Sequence, residues 1–477
     1  VAAGVCLRLL WPGDFLFRQD EAEHLGQSLA VSRGGERPSH AWLSSAGLPN
    51  GPGYLYFLAA VTRVTTDPRA AQAAITLLNC VALACSVPLF RRWLRDPRAA
   101  TTAVALYATS PVAIWFSRKI WDPCLLPPLA VPALLLATRA ARRPGSRAPA
   151  VLLPLLAVLV QVHQSAVFFA AALLAACVPA LRRASRLSLA AGTILAGTIL
   201  APYARHLAGL LAGGGAAPRV AAWPDVDVVT NLVLDATGHN ILQTAGLAVP
   251  GLLMWPLPPV GLMVQLAAVP FAATFVLGLV EVARPRTASL DPQARRLVAA
   301  LAIGLPALLL LARARGAAHH YLAALPALFA AMVLGAARAD ASGRALLRRL
   351  PPLPWLVALQ AASWLLFQSW VGVHHGSVAY GLPYSQVARA CADVADAARR
   401  IGRGTPEAPL RLAVDVPRDR GPLPPQYRYL LEHRHGLAVR APEGAERPDL
   451  VLRVTLAAPR LPLGRTPPGA WEILPGG

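Results

Sequence analysis

The stretch AAQAAITLLNCVALACSVPLFRRWLRDPR, residues 70–98, holds the pattern that decides the fold. Its apolar part, 70–90, is long enough to cross a hydrocarbon core, which takes about 20 residues. It ends on Arg91, Arg92, Arg95 and Arg98. The same pairing of apolar run and arginine cluster returns along the chain. Further clusters are Arg139/Arg142/Arg143/Arg147, Arg182/Arg183/Arg186, Arg284/Arg286/Arg295/Arg296 and Arg338/Arg344/Arg348/Arg349. The remaining candidate spans are 99–116, 123–138, 148–162, 163–181, 187–205, 260–283, 297–313, 321–337 and 353–373. Every cluster falls in an alternate loop of that arrangement, and arginine-rich short loops mark the cytoplasmic side.

Residues 51–66 (GPGYLYFLAAVTRVTT) test the scheme. If they crossed, the first two arginine clusters would land outside. The run is also short and contains Arg63, which fits an interfacial segment. A juxtamembrane helix on the outer surface is expected. Residues 1–11 read as the end of a first transmembrane helix whose beginning is missing. The expected fold class is an all-α polytopic membrane protein of about eleven spans. Its domains are a transmembrane domain over 1–373, with a large outer loop at 12–69, and a small extracytoplasmic α/β domain over 374–477.

Composition supports this class and excludes others. The 477 residues carry 45 Lys+Arg against 24 Asp+Glu, a formal charge of +21 that would fit a nucleic-acid binder in a soluble protein. Hydrophobic residues are 55% and charged residues only 14%, too apolar for soluble domains and for disorder. Nineteen of the arginines belong to the five cytoplasmic clusters, so no nucleic-acid partner is expected. Lys119 is the only lysine. The six cysteines show neither metal-ligand spacing nor a disulfide framework.

In the tail, YSQVARACADVADAARRIG (384–402) places Val387, Cys391, Val394, Ala398 and Ile401 at helical spacing. LRLAVDV (410–416) and DLVLRVTL (449–456) read as strands, and PPQYRYLLEHRHG (424–436) as a short helix.

The polar chemistry gathers at the outer ends of the spans, where all eleven histidines fall. In RQDEAEHLGQSLA (18–30), Asp20 and His24 would share a helical face with Glu21 and Glu23 turned away. That pair suits general-base work, and equally an acidic first turn that favours the helix dipole. In SRKIWDP (117–123), Arg118 and Lys119 suit a lipid phosphate, or simply snorkel at helix ends. Asp122 adds a second carboxylate. QVHQSA (161–166) carries Gln161, His163 and Gln164, which are costly at membrane depth unless paired or wet. ARARGAAHHY (312–321) brings Arg313, Arg315, His319, His320 and Tyr321 to another outer end. In WPDVDVVTNLVLDATGHN (223–240), Val226, Val229 and Val233 form an apolar stripe that could lie on the membrane, with Asp225, Asp227 and His239 as candidate acceptor contacts. No P-loop, Rossmann glycine pattern, HExxH or hydrolase elbow occurs.

The Asp20-Glu21 pair, GLPNGPGYLYFLAA (47–60), ATSPVAIWFSRKIWDP (108–123), QVHQSA and HHYLAALPAL (319–328) follow one another in an order that resembles the GT-C membrane glycosyltransferases. Within these, the chain is similar to glycosyltransferase family 39, which includes protein O-mannosyltransferases and lipid A aminoarabinose transferases. The resemblance covers roughly residues 12–375. It implies an enzyme of the cell membrane that moves a sugar from a polyprenyl-phosphate donor to a lipid, glycan or protein acceptor on the extracytoplasmic face.

By the same resemblance Asp20, with Glu21 beside it, is the first-loop carboxylate that activates or orients the acceptor hydroxyl. Asp122 is the second-loop carboxylate. Arg118 and Lys119 would hold the donor phosphate, with His163, His320 and Tyr321 lining its pocket. No cofactor is required by the pattern, and a divalent metal stays open because two carboxylates and several histidines could bind one. The rival readings are a transporter or flippase of lipid-linked sugars and a non-catalytic membrane protein that binds cell-wall material. A secondary transporter would show inverted repeats, and none is visible.

Overall fold

The computed structural model describes residues 1–477 except 45–46, 144, 214–222, 239–257, 285–288, 343–344, 375–381, 416–422, 444–445, 455–470 and 477. His239 therefore lies outside the described residues. Helices dominate. In chain order they are α1 (Ala2–Leu9), α2 (Gln19–Ser32), α3 (Gly53–Thr62), α4 (Pro68–Trp93), α5 (Pro97–Thr109), α6 (Pro111–Phe116), α7 (Leu126–Arg142), α8 (Pro149–Val162), α9 (Ala166–Leu181), α10 (Arg186–Ala212) and α11 (Asp227–Thr237). There follow α12 (Pro258–Ala283), α13 (Pro292–Ala299), α14 (Leu305–Leu311), α15 (Leu325–Ala341), α16 (Ala345–Arg348), α17 (Leu353–His374), α18 (Tyr384–Arg400) and α19 (Pro425–His433).

Local chemistry explains many of these boundaries. Asp67-Pro68, Asp96-Pro97 and Asp291-Pro292 each start a helix in the same way. The aspartate side chain accepts a backbone N–H of the first turn, and proline occupies a position whose N–H would be orphaned anyway. The expected span 99–116 is instead two helices. Pro111 cannot donate to the preceding turn, so α5 stops at Thr109 and the Ser110 hydroxyl caps α6 through the Ala113 amide.

Among the described residues, five helical rods are long and apolar enough to cross a membrane: Pro68–Trp93, Asp122–Arg142, Arg186–Ala212, Pro292–Leu311 and Ala318–Ala341. The apolar helices α3, α8 and α9 are shorter. The expected total of about eleven spans is thus not reached by this criterion, although each expected segment is helical over most of its length. At the centre, α15 is buried along most of its length. It meets α12 closely because both carry glycine: a Cβ on Gly278 would lie 1.9 Å from the Ala331 carbonyl oxygen, and one on Gly335 1.8 Å from that of Thr274.

The arginine-bearing connections meet at one end of the bundle. Arg142 reaches the Arg92 carbonyl and Asp291, Gly145 donates to the Arg183 carbonyl, Arg95 to Ser289, and Arg338 approaches Glu281. The polar residues singled out above lie on connections at helix ends away from these.

α11 keeps most of its valine stripe off the packed face. The packed face of α11 is Val228, Asn231, Leu232, Asp235 and Ala236, whereas Val226 and Val229 are exposed. Asp225 accepts from the Asp227 and Gly316 amides, which ties α11 to the 312–321 turn.

The C-terminal segment forms a four-stranded sheet in the order β2-β1-β3-β4, from β1 (Leu410–Asp415), β2 (Val439–Arg440), β3 (Leu450–Val454) and β4 (Trp471–Pro475). β1 runs parallel to β2 and β3, and β4 pairs antiparallel with β3. Leu410, Leu412 and Val414 alternate inward along β1. On α18, Val387, Cys391, Val394 and Ala398 are buried as their spacing predicts. Ile401 is not: it sits past the last helical residue and is half exposed.

Candidate active site

The site is built on the short turn after α6. Residues 117–121 reverse the chain, and a single 3-10 turn, Asp122–Leu125, leads into α7. This brings Arg118, Lys119 and Asp122 to the same region as α2 and the α8–α9 hairpin.

Asp122 is buried. Its Oδ2 accepts from the Asn50 side-chain amide at 2.7 Å and lies 3.9 Å from His163 Nε2. The other face of the His163 ring defines its tautomer. Nδ1 accepts from the Ser165 amide at 3.2 Å and lies 2.7 Å from the Ser165 hydroxyl, so in the neutral ring Nε2 carries the proton toward Asp122. Asn50 is fixed in turn, since its Oδ1 accepts from the Gln164 amide at 3.3 Å. Gly51 and Gly53 permit this approach: a Cβ on Gly51 would sit 2.6 Å from Gln161 Cα.

Lys119 stands between the two carboxylate centres. Its Nζ is 3.4 Å from Glu21 Oε1 and 4.1 Å above the Trp121 ring. Glu21 is buried and its Oε2 accepts from the Arg18 amide at 3.0 Å, so it caps α2 and holds the lysine at once. The expected face of α2 is reversed here. Glu21 and His24 point inward with Ala22, Leu25, Ser28 and Leu29, while Asp20 and Glu23 are exposed. The apolar stripe Leu25/Leu29 sets the buried side, and Glu21 lies on that stripe one turn earlier. Asp20 stays close enough to act electrostatically on Asp122.

Three aromatic rings close the chamber. His24 stacks on Trp42 at 3.5 Å and meets Tyr54 edge-on at 5.8 Å. Burial, with the Lys119 charge adding to it, pushes the His24 imidazole down to about 3. The Tyr54 hydroxyl and His24 Nδ1 are buried with no hydrogen-bond partner among the described residues, and Glu21 Oε1 meets only the Lys119 ammonium there. Such atoms are costly inside a protein unless something meets them.

Arg118 is buried, donates to the Trp11 carbonyl at 2.5 Å and lies 5.6 Å from the Trp364 ring centre. Arg118 and Lys119 share a small cavity with Asp14, Phe15, Leu16, Trp115, Trp364 and Gln368. His319 joins the centre from the 312–321 turn, 5.0 Å from both Trp121 and His163 and 4.6 Å from His320. Arg313 and Arg315 are exposed, and the Tyr321 hydroxyl is spent on the Val228 carbonyl at 2.8 Å. Among the described residues no group of three or more His, Cys, Asp or Glu is arranged to hold a metal ion.

Sequence reasoning missed Asn50, Trp42 and Tyr54, which lie in the first loop within or beside the quoted GLPNGPGYLYFLAA. It also missed Arg8, buried within the bundle and donating to the Gly4 and Ala108 carbonyls at 2.9 Å and to that of Tyr107 at 3.3 Å. An arginine inside an apolar helix is itself a signal that carbonyls of a neighbouring helix end await it.

No protein-family model matches the chain, and no curated protein does. Solved structures do. The chain is similar to ArnT from Cupriavidus metallidurans bound to undecaprenyl phosphate, at a TM-score of 0.58 and 13% identity over 95% of this chain and 92% of that one. Against ArnT from the same organism in the apo state the TM-score is 0.54, at 12% identity over 93% and 89%. Over nearly its whole length, then, this chain is similar in fold to ArnT.

Proposed function

We propose that this protein is a GT-C membrane glycosyltransferase that moves a sugar from a polyprenyl-phosphate donor to an acceptor hydroxyl on the extracytoplasmic face. The observation that carries the reading is the convergence of two carboxylate centres and the lone lysine at one turn: Asp122 with Asn50 and His163, and Glu21 with Lys119. Beside them, Arg118 and Lys119 line a narrow cleft and supply the positive charge that a phosphate would need. The ArnT structure of the same fold is bound to undecaprenyl phosphate, a ligand of the class this cavity would take.

In this reading the acceptor oxygen attacks the anomeric carbon and the bond from that carbon to the phosphate oxygen breaks. The phosphate leaves with the electron pair, and Arg118 and Lys119 stabilise its growing charge. Asp20, the exposed carboxylate at the rim, takes the proton of the acceptor hydroxyl. Asp122 faces the positive charge that develops at the anomeric centre. Glu21 holds Lys119 in place. A single displacement of this kind inverts the anomeric configuration. His163 orders Asp122, while His320 and Tyr321 shape the adjoining wall. The arginine-bearing connections at the opposite end support the extracytoplasmic placement.

Mass spectrometry of lipids that co-purify with the protein tests the donor class. A polyprenyl phosphate, bare or carrying a sugar, is expected. Bulk phospholipid alone, with no polyprenyl species retained, would remove the basis for a lipid-phosphate donor.

A further inference from the structure

One wall of the cavity that Arg118 and Lys119 share is not part of the helical bundle. It is the extended segment between α1 and α2, through Asp14, Phe15 and Leu16. That segment has no regular secondary structure of its own to hold it. What grips it is the start of α18. The Tyr384 amide donates to the Phe15 carbonyl and the Ser385 amide to the Gly13 carbonyl, both at 2.9 Å, and Leu16 bridges to Pro383. The Ser385 hydroxyl donates to Asp14 Oδ1 at 3.1 Å. The Tyr384 ring stacks on Phe15 at 4.9 Å and 11° and meets Phe17 edge-on at 5.6 Å.

Tyr384 is anchored from its far side. Its hydroxyl donates to Asp67 Oδ1 at 3.1 Å, just ahead of α4, and Arg434, just past the end of α19, donates to the same hydroxyl. A second set of contacts docks the C-terminal segment at Thr66, away from the cavity wall at 14–16, with the Tyr429 ring also meeting Phe17 at 6.3 Å. Thr66 donates to the His433 carbonyl at 3.2 Å, and Tyr429 to the Thr66 carbonyl at 3.0 Å. The two sets can be separated by mutation.

We propose that Tyr384 is a positioning residue for the lipid-phosphate pocket: by stacking on Phe15 and pairing with its carbonyl, it holds residues 14–16 as the wall that faces Arg118 and Lys119. This rests on the donor reading above and gives the C-terminal segment a task in it. Holding Phe15 and Leu16 in place before the lipid arrives removes an ordering cost from binding. Holding Asp14 on Ser385 keeps a carboxylate from turning onto the cations that must meet phosphate.

The test measures undecaprenyl phosphate affinity of the full-length protein, together with amide exchange across residues 13–17. Tyr384→Ala is expected to weaken affinity about tenfold and to speed exchange at Phe15 and Leu16. Tyr384→Phe keeps the stack and should stay within about twofold. Thr66→Val loosens docking elsewhere and should leave affinity unchanged. Wild-type affinity in Tyr384→Ala despite faster exchange would overturn the proposal, as would an equal loss in Thr66→Val. If Tyr384→Ala fails to fold, Phe15→Leu breaks the same stack from the other side and is read against the same outcomes. Wild-type protein that does not bind undecaprenyl phosphate at all would overturn the donor reading, and this proposal with it.

Discussion

The chamber around Asp122 and the C-terminal sheet handle charge in opposite ways. In the sheet, the charges lie mostly at the surface and are paired: Arg411 with Asp449 at 2.5 Å, Arg440 with Glu446 at 2.6 Å, and Arg453 with Glu472 at 2.9 Å. Asp449 is held below the usual carboxylate range, chiefly by its hydrogen bond from Arg411. Such pairs contribute little each and leave no bonding capacity over. In the chamber, Glu21 and Asp122 are buried, and among the described residues His24 Nδ1 and the Tyr54 hydroxyl have no hydrogen-bond partner. Burial without full satisfaction raises the cost of folding and lowers the cost of binding something that completes the set. The sheet is organised to be stable. The chamber is organised to be filled.

The contrast can be broken by substitution, and among the residues buried in the chamber the largest effect is expected at Asn50. Asn50→Ala removes the 2.7 Å bond to Asp122 and leaves that carboxylate buried with one partner fewer. Losing such a bond costs about 1–3 kcal/mol, so kcat should fall about tenfold to a hundredfold with KM little changed. A change confined to KM would mean that Asn50 shapes donor binding and not the carboxylate.

His24 gives an intermediate, pH-dependent effect. Its folded-state value of about 3 lies below the ordinary 6.5, so the folded chain favours the neutral ring. That contribution to stability is complete above about pH 6.5 and is lost as pH falls toward 3. His24→Phe retains the stack on Trp42 and should flatten the decline of melting temperature across this window. An unchanged decline would place the acid sensitivity in other groups. The smallest effect belongs to the sheet: Arg411→Ala should move the melting temperature only slightly and leave transfer untouched. A loss of activity there would show that the two regions are coupled beyond the Tyr384 contact.

Much of the fold was legible because apolar runs and arginine clusters repeat over long distances and their periodicity is local. The tail helices and two of the strands were legible for the same reason. The two remaining strands were not. β2 is only Val439–Arg440, and β4 pairs with β3 through a register that no local pattern announces. The inward face of α2 was misread because the Asp20/His24 spacing competes with the stripe of Glu21, Ala22, Leu25 and Leu29, and packing chose the stripe. Asn50 could not be tied to Asp122 from sequence, since 72 positions separate them. Arg118, Lys119 and Asp122 were legible as a set because they share one short turn.

The central claim, transfer of a sugar from a polyprenyl-phosphate donor, is tested most directly by turnover in reconstituted vesicles supplied with a labelled polyprenyl-phosphate sugar and an extract of candidate acceptors. The account predicts that wild-type protein releases free polyprenyl phosphate while the label moves to acceptor. It also predicts that Asp20→Asn, inserted and folded, loses this activity about 10³-fold. Movement of the labelled lipid between leaflets with its sugar–phosphate bond intact, equally fast in Asp20→Asn, would contradict it and make the protein a carrier of the lipid.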